Sequence, residues 1–335
     1  MCKLHTVKKI LIIQTAFIGD VILATSVIEA LHQSFPEARI DFLLRKGNEG
    51  LLEGHPFLHK TLIWDKKQGK YAQLKSLIAT LRNEKYDVAI NLQRFMTTGI
   101  ITAFSGAKQT IGFNKNPMSV FFSKRYPHVI GNKNNTTHEV NRNLSLLKDL
   151  TSSTDFVKPK LYPSSADFDK VKCLEKYITI SPTSVWFTKQ YPANKWVDVI
   201  NMVPKDYSVF LLGGKADAAA CEWIKSQSIH PKVEVKAGQL NFLESAALIK
   251  NAAMNYVNDS APLHLASATD AIVTAIFCST IPAFGFGPLS SNSTVIETTE
   301  NLDCRPCGLH GYKACPKGHF KCSEIEAERI VGSLK

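Results

Sequence analysis

The chain has 335 residues, 44% hydrophobic and 21% charged, a balance that excludes a disordered or fibrous protein and provides for two domain cores. Lysine and arginine outnumber acidic residues 40 to 29, giving +11, which suits a plain basic surface or an anionic partner. No nucleic-acid motif accompanies the charge and no apolar run reaches the roughly 18 residues of a membrane-spanning helix, so a phosphorylated substrate or anionic lipid is the expected partner.

The start of the chain runs into a strand and lacks a cleavage-site pattern, so the expected location is cytoplasmic. Residues 9–14 are a short apolar run and read as a buried parallel strand. The loop Thr15-Ala16-Phe17-Ile18-Gly19-Asp20 follows, and then an amphipathic helix over residues 21–34. Asp20 stands where the loop becomes the helix. The helix dipole favours its ionised form there, ready to accept a proton from a substrate hydroxyl. The alternative is a simple N-cap. Gly19 is the only glycine in the loop, so the G-x-G-x-x-G fingerprint is missing; G-x-x-x-x-G-K-[ST] is missing too. Nucleotide binding in those standard ways, and with it an NAD-linked oxidoreductase, is disfavoured.

Further strands are expected over 39–44, 61–64, 87–92 and 110–113, with helices over 71–84, 95–104 and 138–150. Arg45 and Lys46 end the second strand, and Gln93 and Arg94 end the fourth. Such basic strand ends suit an acidic acceptor. Residues 151–166, with Ser152, Ser153, Pro159 and Pro163, read as a linker. The alternation then restarts, with strands over 177–181, 208–212, 233–236, 255–258 and 272–277 and helices over 194–203, 217–226, 242–251 and 262–268. The pattern is α/β: two doubly wound halves that present strand ends to a cleft.

In the second half, Lys189 lies in the long polar loop after the first strand, either solvated or placed to neutralise a leaving phosphate. Gly213 and Gly214 end another strand and permit close backbone approach. Asp259, Ser260, Ala261 and Pro262 open a helix whose free N–H groups suit a pyrophosphate. His264, one turn in, is either a core histidine or a donor to phosphate or base. Four cysteines are scattered (Cys2, Cys173, Cys221, Cys278), and four cluster at Cys304, Cys307, Cys315 and Cys322. The cluster reads as a structural zinc site or as reduced thiols in a compact loop.

Taken together, these motifs resemble the lipopolysaccharide heptosyltransferase family over nearly the whole chain. The resemblance rests on Ile18-Gly19-Asp20, Asn91-Leu92-Gln93-Arg94, Ser105-Gly106-Ala107-Lys108, Ile111-Gly112-Phe113 and His138-Glu139. It continues through Thr188-Lys189-Gln190-Tyr191-Pro192, Gly213-Gly214, and Asn258-Asp259-Ser260 with His264. It implies a GT-B fold, two Rossmann-like domains facing across a cleft. Residues 1–165 would bind the acceptor, 166–322 the nucleotide-sugar, and 323–335 would form a helix packing back on the first domain. It also implies an inverting transfer with no catalytic metal and no required cofactor. The expected reaction moves heptose from ADP-heptose to a hydroxyl of a lipopolysaccharide inner-core acceptor, an acidic lipid-linked saccharide at the inner face of the inner membrane.

By the same resemblance Asp20 is the general base and Lys189 stabilises the leaving group. Thr188, Gly213, Gly214, Asp259, Ser260, Ala261 and His264 bind the donor. Arg45, Gln93 and Arg94 bind the acceptor. The chain departs from the family's pattern at Ser26, Ala261 and Cys278-Ser279-Thr280. A nucleotide-sugar epimerase or a non-catalytic binding member are the competing readings.

Overall fold

A strand buried on both faces needs apolar residues in succession rather than in alternation. The strand Lys9–Ile13 (β1) meets that condition: Ile10, Leu11, Ile12 and Ile13 have no accessible surface in the computed structural model. The structure describes residues 7–65, 70–151 and 155–334; Cys2, Ser152 and Ser153 lie outside them. The chain divides into two units, one formed by Met1–Ile130 and Glu139–Tyr162, the other by Gly131–His138 and Pro163–Lys335.

In the first unit β1 is followed by α1 (Ile18–Ser34), β2 (Arg39–Arg45), β3 (Leu58–Trp64), α2 (Lys70–Glu84) and β4 (Val88–Asn91). Then come α3 (Met96–Phe104), β5 (Gln109–Phe113), β6 (Lys124–Tyr126) and α4 (Glu139–Leu144). The sheet is parallel, in the order β3-β2-β1-β4-β5-β6. Leu11, Ile13, Leu43, Trp64, Leu81, Tyr86, Ala89 and Ile101 form one of its buried clusters.

The second unit contains α5 (Ser165–Lys170), β7 (Tyr177–Ser181), α6 (Ala193–Met202), β8 (Ser208–Leu211), α7 (Ala218–Gln227) and β9 (Val233–Val235). It continues with α8 (Phe242–Asn251), β10 (Met254–Asn258), α9 (Ala261–Thr269), β11 (Val273–Phe277), β12 (Ser293–Glu297) and α10 (Ala327–Val331). Its parallel sheet runs β12-β11-β10-β7-β8-β9, the first sheet's order repeated. In each sheet the strand order reverses between the first and fourth strands of the unit, and the carboxyl ends of that pair are where an open α/β sheet holds its ligand.

The resemblance implies that residues 323–335 pack back on the first domain. The structure gives them to the second unit: α10 packs on α6, and Ile325, Ala327 and Ile330 join Trp196, Val199 and Ile200 in its core. The linker reading of 151–166 overlooks α5, whose Ser164 and Asp167 form a capping box.

Candidate functional site

In the first unit the ends of β1 and β4 are stitched together. Gln93 is buried, and its Oε1 accepts from Thr15 Oγ1 at 2.8 Å and Thr15 N–H at 3.2 Å. That carbonyl is therefore engaged in holding the loop, though Gln93 reads from sequence as an acceptor contact. Asn116 Nδ2 donates to the carbonyls of Gln93 and Phe95, both at 3.0 Å. Arg45 lies with its guanidinium 4.9 Å from the centre of the exposed Phe17 ring. Arg94, half-buried, adds positive charge near His128.

Helix α1 begins one turn earlier than expected, so Asp20 is its third residue and Phe17 the N-cap. Asp20 is not the N-cap. Its carboxyl instead accepts from the backbone N–H groups of Phe17 and of Asp20 itself. Those bonds and Arg45 favour the carboxylate, as the helix end does. Crowding by protein atoms and the nearby Glu139 outweigh them and push its pKa up from 3.8 to about 7. This corrects the expectation of a carboxylate kept ionised by the helix dipole. Glu139, which sequence analysis gave no role, is held by the buried Arg142, whose Nε donates to Glu139 Oε2 at 2.8 Å.

In the second unit the paired ends are those of β7 and β10. Asn258 Nδ2 donates to Pro182 O at 2.8 Å, and its Oδ1 accepts from Tyr191 N–H at 2.9 Å, which pins both ends of the intervening loop. Lys189 is not a solvated loop lysine. Its side chain is 14% exposed and its ammonium lies 2.7 Å from Asp259 Oδ2. The same oxygen accepts from Thr280 Oγ1 at 2.6 Å, from the end of β11. Thr280, which sequence reading named only as part of a departure from the family's pattern, is thereby joined to the candidate site residues Asp259 and Lys189.

Thr188 is buried, and its hydroxyl accepts from Tyr312 N–H at 2.8 Å and from Ser279 Oγ at 3.0 Å. Ser260 is the N-cap of α9, yet its side chain makes no capping bond, and Ala261 is the first residue of the helix. His264 is buried, burial drives its pKa down to about 3, and its Nδ1 has no hydrogen-bond partner. A neutral imidazole with an unused polar atom is not a satisfied core histidine. The Gly213-Gly214 pair makes its close approach to Asp217: a Cβ on Gly213 would lie 2.7 Å from Asp217 Cβ, and Gly214 N–H donates to Asp217 Oδ2 at 2.8 Å.

The clustered cysteines are free thiols. Cys307 Sγ donates to Cys304 O at 3.1 Å, and Cys304 Sγ lies 3.9 Å from His319 Nε2. Cys322 is pushed up to about 12 by burial and by the other three thiols. Among the described residues no group of three or more His, Cys, Asp or Glu side chains is placed to hold a metal ion. Among them, too, no helix is long and apolar enough to cross a membrane.

A family model described as glycosyltransferase family 9 (heptosyltransferase) matches residues 74–311. Lipopolysaccharide heptosyltransferase 3 of Escherichia coli (strain K12) is 30% identical over 282 residues, 79% of this chain and 81% of that protein. Among solved structures, a family 9 glycosyl transferase from Veillonella parvula DSM 2008 aligns with a TM-score of 0.81 at 19% identity, covering 97% of this chain and 95% of that one. The E. coli ADP-heptose lps heptosyltransferase II aligns at 0.80 and 20% identity, covering 97% of each chain. These likenesses bear out the expected GT-B fold, with its two Rossmann-like domains.

Proposed function

The chain belongs to glycosyltransferase family 9, the heptosyltransferases, and is a glycosyltransferase, and from that premise we propose that it moves heptose from ADP-heptose to a hydroxyl of a lipopolysaccharide core acceptor. The acceptor oxygen bonds to the anomeric carbon as the bond from that carbon to the ADP β-phosphate oxygen breaks, with inversion. The hydroxyl proton passes to Asp20, and ADP leaves as an anion beside Lys189. The first domain binds the acceptor, through Arg45 and Arg94. The second binds the donor, through the start of α9, with Ser260, Ala261 and His264; Asp259 acts by holding Lys189 ready. No catalytic metal is required.

The observation that carries the reading is Asp20. A base works best when its pKa lies near the working pH, and about 7 meets that condition. The similarity to lipopolysaccharide heptosyltransferases supports the choice of donor and acceptor. The +11 charge supports an acidic, lipid-linked acceptor and peripheral contact with an anionic inner membrane surface from the cytoplasmic side. A structural zinc at Cys304, Cys307, Cys315 and Cys322 is a further part of the proposal; its support is the spacing of the four cysteines along the chain, and binding would have to draw the thiols together. Metal analysis of the purified chain tests it, and a metal-free, fully folded protein refutes it.

The test of the reaction is transfer from ADP-heptose to a heptose-deficient core acceptor. Asp20→Asn should lower turnover by about a hundredfold or more while ADP affinity holds. Wild-type turnover in that variant would remove the base assignment.

A further inference from the structure

The cysteine-rich segment, left without a catalytic role so far, is tied to the turn that carries Lys189. That turn, Phe187–Lys189, is a three-residue 3₁₀ element, too short to fix itself. Thr188 fixes it. Its N–H donates to Tyr312 O at 3.1 Å, and its hydroxyl accepts from Tyr312 N–H and Ser279 Oγ. Its carbonyl accepts from Ser279 N–H at 3.2 Å.

Ser279 is itself tied to the cysteine-rich segment that carries Tyr312. Cys307 N–H donates to Ser279 O at 2.8 Å, and Arg305 binds the carbonyls of Cys278 at 2.6 Å and Thr280 at 2.8 Å. Gly311 takes φ +74°, and a Cβ there would sit 3.0 Å from Thr188 Oγ1 and 3.1 Å from Lys189 Cγ, so the strap passes closely only because that residue is glycine. Ser279 holds the backbone beside Lys189, while the next residue, Thr280, holds its counter-ion Asp259.

We propose that Thr188, Ser279 and the backbone at Gly311 and Tyr312 are positioning residues for Lys189, and that the cysteine-rich segment is the strap that carries them. This rests on the reading of Lys189 as the group that meets the leaving phosphate. A lysine ammonium sits on a flexible four-carbon stem, so its aim depends on how firmly its root is held. Thr188, expected from the sequence to touch the donor, acts through Lys189 instead. Catalysis is sensitive to displacements of about 1 Å, so loosening the root lowers the rate without weakening donor binding.

The experiment is steady-state turnover of ADP-heptose by the full chain carrying Thr188→Val, Thr188→Ser, Lys189→Ala and the pair Thr188→Val/Lys189→Ala, each checked for folding by circular dichroism. Thr188→Val should lower kcat about tenfold with donor KM within about twofold of wild type. Thr188→Ser, which keeps the hydroxyl, should restore the rate. In the Lys189→Ala background Thr188→Val should have no added effect. A raised KM at unchanged kcat, or full additivity in the pair, overturns the strap's role and leaves Lys189 in place. Wild-type turnover by Lys189→Ala overturns the reading of the lysine and the strap with it. Should Thr188→Val not fold, Ser279→Ala in the same two backgrounds decides by the same criteria.

Discussion

Asp20 is held between opposing influences. Two backbone N–H groups and Arg45 favour its charge, while crowding and Glu139 oppose it and prevail. With a pKa of about 7, roughly half the molecules carry Asp20, the proposed base, in its ionised form at neutral pH. The kcat/KM profile should therefore rise about tenfold per pH unit toward a midpoint near 7 and then level. Glu139→Gln removes a negative neighbour and should move that midpoint to lower pH; an unmoved midpoint would separate Glu139 from Asp20. The same residue acts on stability. Its folded pKa lies above its unfolded value of 3.8, so the folded state holds a proton that the unfolded chain has released between about pH 4 and 7. Its contribution is full below pH 4 and lost as pH rises through 7. Asp20→Asn should therefore flatten the pH dependence of the urea midpoint across that window and leave the protein more stable at neutral pH.

At the scale of elements, α10 shows how much one short helix contributes. Ile330 is fully buried in the second unit's core, so Ile330→Ala should cost about 2–5 kcal/mol, read as a lower urea midpoint for that unit. Those core contacts are non-local and left no trace in the sequence; the different neighbour expected for the helix came from the family resemblance alone. Central strands were legible because burial on both faces demands continuous apolar runs: Tyr177–Ser181 was read with its observed bounds. Phe242–Asn251 was read as accurately, since Asn241 and Glu244 make a capping box at its start. Strands β6 (Lys124–Tyr126) and β12 (Ser293–Glu297) escaped because they are edge strands, short or largely exposed, and their residues look like loop. The site followed the same rule. Asp20 and Lys189 were visible as charges at strand ends, whereas the roles of Thr280, Ser279 and Tyr312 depend on chain segments brought together from far apart.

Across the whole molecule the charge of +11 should govern encounter with an acidic acceptor. Raising salt from about 50 to 300 mM should increase the acceptor KM severalfold and leave kcat nearly constant, since screening weakens approach more than contacts already made. A salt-independent KM would argue against an acidic acceptor. The two sheets share one strand order, and in each unit the proposed reactive side chain follows the first strand: Asp20 after β1 and Lys189 after β7. Equivalent loops thus carry opposite charges, one to receive a proton and one to meet a departing phosphate. Two identical subunits can never make that distinction, because one gene writes both loops alike. A chain that holds the plan twice lets each copy drift to its own half of an unsymmetrical reaction.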